Sequence, residues 1–261
     1  MAACLSCSLP LRATALAAVL ALSPLPAARA EAPAGPPASP EALADQVLEA
    51  LGGQKAWEAT RYLHFTFAGR RSHWWDRYDG RHRVEGKTKE GQSYVVLENL
   101  NTREGTAYLD GKQVEGDELK KYLELGYGTW VNDTYWLIMP YKLRDPGVHL
   151  ALAGEETIDG TTYDKLALSF DHVGLTPGDH YWAYVNRTTH LMDRWAYLLE
   201  DAKPVEAPTA WLWKDWQKVG GILLAPTRVM VGSDRTLPLG ELSTAPIPDG
   251  AFTSPAPLAQ P

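Results

Sequence analysis

From Tyr62 to Val231 the chain is a succession of short segments in which apolar and polar residues alternate. The first, "YLHFTFA", puts Leu63, Phe65 and Phe67 on one face. A period of two is the signature of a half-buried strand. Three Asp-Gly pairs fall between such segments: Asp79-Gly80, Asp110-Gly111 and Asp159-Gly160. Asp-Gly supplies the positive φ that a two-residue type I′ hairpin turn requires. At Asp79-Gly80 such a turn sets Tyr78 opposite Arg81, Arg77 opposite His82, Asp76 opposite Arg83 and Trp75 opposite Val84. The Asp76–Arg83 and Trp75–Val84 pairs are complementary, which supports that register. More segments follow: "SYVVLENL", "GTAYLD", "GVHLALAGEETI", "TYDKLALSF", "DHYWAYVNR", "HLMDRWAYLL", "TAWLWKDWQKV" and "ILLAPTRVMV". They lack the strand–helix alternation that builds a parallel sheet. The pattern predicts one antiparallel meander of about ten or eleven strands.

Two helices interrupt or precede this run. Ser39 reads as an N-cap with Pro40 at the first helical position. Leu43, Val47, Leu48 and Leu51 follow at helical spacing, and Gly52-Gly53 ends the helix. The second lies in "DELKKYLELGYGTWVNDTYWLIM", before Pro140. From a cap at Thr129, the residues Trp130, Val131, Thr134, Tyr135, Leu137, Ile138 and Met139 cover well over half the circumference. A helix apolar nearly all round is buried. A long antiparallel sheet twists and must curl or close, and its concavity is the natural burial site. The predicted fold is mainly β (α+β), an unclosed half-barrel with an N-terminal helix and a central helix packed in its concave face. One domain is expected over 40–244, followed by a Pro-rich tail over 245–261 that frays.

The first thirty residues read as a signal peptide: Arg12, the apolar run "ATALAAVLAL", then Ala28 and Ala30 before Glu31. Residues 31–39 read as a Pro/Ala-rich linker. Cys4 and Cys7 both lie in the signal segment, so the exported chain carries no disulfide and no thiol nucleophile. Loss of Arg12 and Arg29, two positive charges, takes the formal charge from -7 to -9. That excludes nucleic acid as the expected partner, because phosphate contacts need clustered Lys and Arg. Ten Trp and twelve Tyr stand against four Phe, a choice that suits half-wet apolar surfaces.

The candidate ligand-binding residues are Trp130, Tyr135, Trp136, Met139 and Tyr141 from the central helix and its exit. Trp182 and Trp195 join them from the sheet, with Asn132 and Asp133 as polar contacts. Asp133 also has a plain structural role open to it, in the first turn at the positive end of the helix dipole. His172, Asp179 and His180, beside Asp171, flank the "VGLTPG" loop as weak metal candidates; exposed turn chemistry is the alternative. No HExxH or GxSxG pattern is present and no cofactor is expected. The basic stretch "RRSHWWDRYDGRHR" suits either a peripheral membrane contact or cross-strand pairing, with Arg77 and His82 capping one face.

The stretches "NDTYWLIMPYKLRDPGV" and "TPGDHYWAYV" resemble two signature stretches of an uncharacterised family of exported bacterial proteins. The resemblance covers roughly Pro40 to Val231. In outline that family resembles the LolA/LolB-type carriers of lipoproteins, through helix first, long meander and central helix; no carrier residue is matched one by one. The resemblance implies a periplasmic or secreted protein that binds a lipid, a lipoprotein acyl chain or another apolar ligand without catalysis. Two alternatives remain. One is a carbohydrate- or envelope-binding module using the ladders Trp182/Tyr184, Trp195/Tyr197 and Trp211/Trp213. The other is a hydrolase with dispersed carboxylates or histidines. The ligand's identity and the oligomeric state stay open.

Overall fold

The structure, a computed structural model, describes Gly35, residues 37–203 and residues 207–258. The expected signal peptide with Cys4 and Cys7, and most of the linker, lie outside the described residues. Helix α1 (Pro40–Ala50) starts where Ser39 caps it, the Ala42 amide donating to Ser39 Oγ at 3.1 Å. Gly52 then turns left-handed (φ 118°) and α2 (Gly53–Ala59) follows. A Cβ at Gly52 would meet Gly221 O at 2.6 Å, so only glycine fits there.

Six strands come next: β1 (Tyr62–Phe67), β2 (Arg71–Asp76), β3 (Arg81–Lys87), β4 (Ser93–Asn99), β5 (Glu104–Leu109) and β6 (Lys112–Val114). Helix α3 (Gly116–Ile138) runs into a 3-10 turn at Met139–Lys142. Then come β7 (Val148–Ile158), β8 (Thr161–Phe170), β9 (His180–Asn186), β10 (Met192–Leu198), β11 (Thr209–Lys214), β12 (Gln217–Val219), β13 (Ile222–Leu224), β14 (Thr227–Met230) and β15 (Thr236–Ser243).

Thirteen strands form one antiparallel sheet in the order β6-β5-β4-β3-β2-β1-β15-β14-β11-β10-β9-β8-β7, while β12 and β13 form a separate hairpin. The sheet ends at β6 and β7 and does not close on itself. This is the expected unclosed half-barrel with helices. The expected single meander is in fact two. β15, in a segment whose Pro238 and Gly240 hide its strand character, pairs with β1 on one side and β14 on the other and joins them. Helix α3 links the two free edges. Its 23 residues reach about 35 Å, and it crosses the inner face on the way, touching β3, β4 and β5 first.

The inner face is the alternate set of residues that Leu63, Phe65 and Phe67 begin. Leu63 and Phe65, both 0% exposed, join the main core with Leu43, Val47 and Leu51 of α1, Leu137 and Ile138 of α3, and Leu166, Ala183, Trp195 and Trp213 of the second meander. A smaller core, with Val84, Val96, Ala107 and Tyr122, lies under the start of α3.

Two of the three Asp-Gly turns are type I′. Asp110 (φ 48°) and Gly111 (78°) set Leu109 opposite Lys112, and Asp159 (49°) and Gly160 (80°) set Ile158 opposite Thr161. The third is not. Asp76 faces Arg81, and Trp75 faces His82. The Asp76 carboxylate accepts the amides of Tyr78 (3.2 Å) and Asp79 (3.5 Å), while Arg61 and Arg81 hold it from either side at 2.8 and 2.6 Å. That side chain organises a longer turn. The shift is two residues, so every side chain keeps its face.

The tail is not frayed over its described part. Arg83, fully buried on the outer face, pairs with Glu85 and donates to the carbonyls of Ala251 (3.0 Å), Ser254 (2.6 Å) and Ala256 (2.8 Å). Arg81 meets Asp249 at 2.9 Å. The tail thus covers the outer face of β3.

Candidate functional site

Helix α3 sits on two different surfaces. Its second half lies on aromatic rings. Tyr135 packs edge-on against Tyr181 (5.3 Å) and Phe170 (6.5 Å), and Trp136 packs edge-on against Trp195 (4.8 Å) and Trp211 (5.2 Å). Trp195 and Trp213 continue the cluster at 5.4 Å. Strand alternation explains the grouping: Tyr181, Trp195, Tyr197, Trp211 and Trp213 all point inward. Burial holds the Tyr135 hydroxyl well above its ordinary pKa. The indole N–H groups of Trp195, Trp211 and Trp213 are buried without an acceptor.

Arg228 lies at the foot of this cluster. It is 0% exposed, and its guanidinium sits 3.4 Å from the Trp213 ring centroid. It donates to the carbonyls of Ala225 (2.8 Å), Thr227 (3.2 Å) and Trp136. Trp136 O belongs to the last turn of α3, where a cation meets the negative end of the helix dipole. No carboxylate pairs with Arg228 among the described residues, and burial pulls its pKa well down.

The middle of α3 lies on charge. Asp133 is fully buried and accepts a two-pronged contact from Arg71, at 2.7 and 2.8 Å. His73 Nε2 donates to the same carboxylate at 2.8 Å. His73 Nδ1 faces His82 Nε2 at 3.1 Å, and His82 Nδ1 faces Glu98 Oε1 at 3.0 Å. The chain runs across β2, β3 and β4 beneath the helix. Gly126 makes this approach possible: a Cβ there would meet Glu98 Oε1 at 2.5 Å and Val96 Cγ1 at 2.9 Å. Burial pushes the His73 pKa down to about 4, against the pull of its hydrogen bond to Asp133. Burial opposes ionisation of Asp133 too, but the hydrogen bonds from His73 and Arg71 keep its pKa below the usual carboxylate value.

The remaining expected residues scatter. Trp130 packs edge-on to Trp75 at 5.2 Å, beside the charged chain rather than in the aromatic cluster. Met139 is buried in the core. Tyr141 stacks on Trp57 at 4.4 Å, and its hydroxyl lies 2.7 Å from Leu223 O, tying α2 to β13. Asn132 is exposed and donates to Asp133 Oδ1 at 2.8 Å. Asp133 is not in a first turn, because the helix begins at Gly116. Trp182 points to the outer face, opposite Ala167 and Ala196. In the three aromatic ladders Trp195, Trp211 and Trp213 are 1%, 3% and 2% exposed, so the indole left for a sugar to reach is the half-buried Trp182.

Asp179 accepts from Thr176 Oγ1 at 2.7 Å and from the Glu200 amide at 2.9 Å, which closes the loop that His172 and His180 flank. No group of three His, Cys, Asp or Glu is placed to hold a metal among the described residues. The basic stretch is largely absorbed internally: Arg71 by Asp133, Arg81 by Asp76, Arg83 by the tail, and Arg77 by the carbonyls of Trp57 and Thr60. His82 caps no face; it is 0% exposed within the chain of histidines. Two cavities, of about 240 and 130 Å³, lie on the outer face, beside Phe252 and beneath Pro246 and Leu258.

No family model and no curated protein matches the chain. Solved structures similar to it include a DUF1329 family protein from Desulfovibrio piger, at 14% identity and TM-score 0.44, covering 82% of this chain and 96% of that one. A LolA superfamily protein from Nitrosomonas europaea is similar at 10% identity and TM-score 0.37, covering 83% and 98%. The domain of a putative outer membrane lipoprotein-sorting protein from Vibrio parahaemolyticus is similar at 7% identity and TM-score 0.38, covering 80% and 97%. LolA-superfamily proteins are thus among the structural neighbours, as the order of elements leads one to expect. All three superpose below a TM-score of 0.5, so the function proposed for this chain is drawn from its own geometry. No described helix is long and apolar enough to cross a membrane.

Sequence reasoning did not single out Arg71, His73, His82, Glu98 or Arg228 as a site. The signal was available in the alternation. Once Phe65 points inward, its neighbour His73 does too, and His82 and Glu98 follow by pairing.

Proposed function

We propose that this protein is an exported, non-catalytic binder of one apolar or amphipathic molecule, held between α3 and the aromatic half of the sheet. The ligand class is a lipid, or the acyl chain of a lipoprotein. One observation carries this reading: Trp195, Trp211 and Trp213 bury three indole donors without acceptors in a cluster of aromatic rings. Leaving a buried donor unpaired costs about 1–3 kcal/mol. Phenylalanine would pack such a core without that cost. An acyl chain with an ester or amide carbonyl fits both demands, burying its methylenes at roughly 25 cal/mol per Å² and offering the donors an acceptor. Entry requires α3 to lift, because its own Tyr135 and Trp136 rings lie on the face.

The test is quenching of tryptophan emission by fatty acids or phospholipids brominated along the acyl chain. Saturable quenching at one ligand per protein is expected, weakened at least tenfold in Trp136→Ala. Quenching that never exceeds that of free tryptophan in the same mixture would contradict the proposal.

A further inference from the structure

The protons of the buried chain under α3 can be counted. Asp133, gripped by the Arg71 fork, is a carboxylate and only accepts. His73 must therefore donate from Nε2, and because burial keeps the ring neutral its Nδ1 is left as an acceptor. His82 must donate to it from Nε2. His82 Nδ1 then faces Glu98 Oε1. Two acceptor atoms in contact require one proton between them, either as imidazolium against carboxylate or as imidazole against carboxylic acid. With that proton the five groups carry no net charge. A second proton makes the buried chain a net cation, and on His73 Nδ1 it sets donor against donor.

The charged and titratable groups around His73 are Arg71 from β2, His82 from β3, Tyr94 and Glu98 from β4, and Asp133 from α3. Asp133 is the helix's only carboxylate in the chain. It is also the point at which the chain holds the helix.

We propose that the Arg71–Asp133–His73–His82–Glu98 chain is a proton-binding site that governs whether α3 stays on the sheet, so that acid loosens the helix and the aromatic face beneath it. Release of a ligand by acid follows only if the aromatic face is the ligand site. The proton-linked movement of α3 stands apart from that reading and is measured without any ligand. The proton is taken up on the acid side of neutrality, because burial disfavours a charged His73 while α3 is down.

Hydrogen–deuterium exchange of the ligand-free full chain decides it. Rates at pH 7 and pH 4.5 are corrected for intrinsic pH dependence, and peptides over 126–139 are compared with peptides over β8. The expected result is a rise of about tenfold or more in α3, with α3 opening at a lower free energy than β8 at both pH values. His73→Gln keeps a donor for Asp133 and an acceptor for His82 but cannot titrate, so its α3 exchange stays flat. Glu98→Gln, which donates to His82 without the shared proton, serves as a second variant and reduces the rise. No rise in α3 of the wild-type chain, α3 as strongly protected as β8 at pH 4.5, or an equal rise in whichever variants fold overturns the proposal.

Discussion

His73 Nδ1 lies 3.1 Å from His82 Nε2, and neither ring has exposed surface. Of the two, only His82 can supply the proton, because the single N–H of neutral His73 is committed to Asp133. Both imidazoles are therefore protonated on Nε2 at neutral pH. Nitrogen-15 shifts of the ring nitrogens should show His73 Nδ1 as a bare, hydrogen-bonded acceptor and His82 Nδ1 sharing a proton with Glu98. A protonated His73 Nδ1 at pH 7 would contradict the chain's direction.

The same burial sets a pH dependence for stability. His73 has a folded pKa of about 4 against an ordinary value of 6.5. Between those values the unfolded chain binds the proton and the folded chain does not. Its contribution is fully present above about pH 6.5, falls as the pH drops toward 4, and changes no further below that. The slope approaches about 1.4 kcal/mol per pH unit inside that window. Asp133, with a folded pKa below the usual value, adds a second loss only at lower pH. Urea midpoints at pH 7, 5.5 and 4.5 should fall steadily in the wild-type protein, and His73→Gln should flatten the fall.

Trp136 and Trp182 are both expected from the sequence to bind the ligand, but Trp136 packs on the inner face of the sheet and Trp182 points to the outer face. Trp136→Ala removes contacts to Trp195, Tyr197 and Trp211. It should cost about 3 kcal/mol of stability and, beyond that, weaken acyl binding at least tenfold. Trp182→Ala should leave binding within twofold. Denaturation curves and the brominated-lipid titration, run on both variants, check the contrast.

Arg83→Leu strands three tail carbonyls and the Glu85 carboxylate. The expected cost is about 3 kcal/mol. Limited proteolysis should then cut within 249–258 under conditions where the wild-type tail survives.

Strand alternation made most of the fold legible, because a period of two states the face of every residue without knowledge of its partners. Asp110-Gly111 and Asp159-Gly160 were equally readable, since nothing beyond the dipeptide sets those turns. Asp79-Gly80 was misleading because a side chain outside the dipeptide, Asp76, organises the loop. β15 was hidden by Pro238 and Gly240, which read as breakers in an isolated segment. Gly126 and Gly128 concealed that α3 runs unbroken from Gly116, and so put Asp133 in a first turn it does not occupy. The charged chain was the least legible part. Asp133 and its partners Arg71 and His73 stand 62 and 60 positions apart, and only the crossing of α3 over the inner face brings them together.

The central claim is that the face beneath α3 holds one apolar molecule. Native mass spectrometry of the protein, expressed in bacteria, purified gently and paired with solvent extraction, tests it most directly. The expected spectrum shows one bound molecule per chain, and the extract contains an acyl lipid. A bare mass, unchanged after incubation with phospholipid vesicles at pH 7 and at pH 4.5, would contradict it.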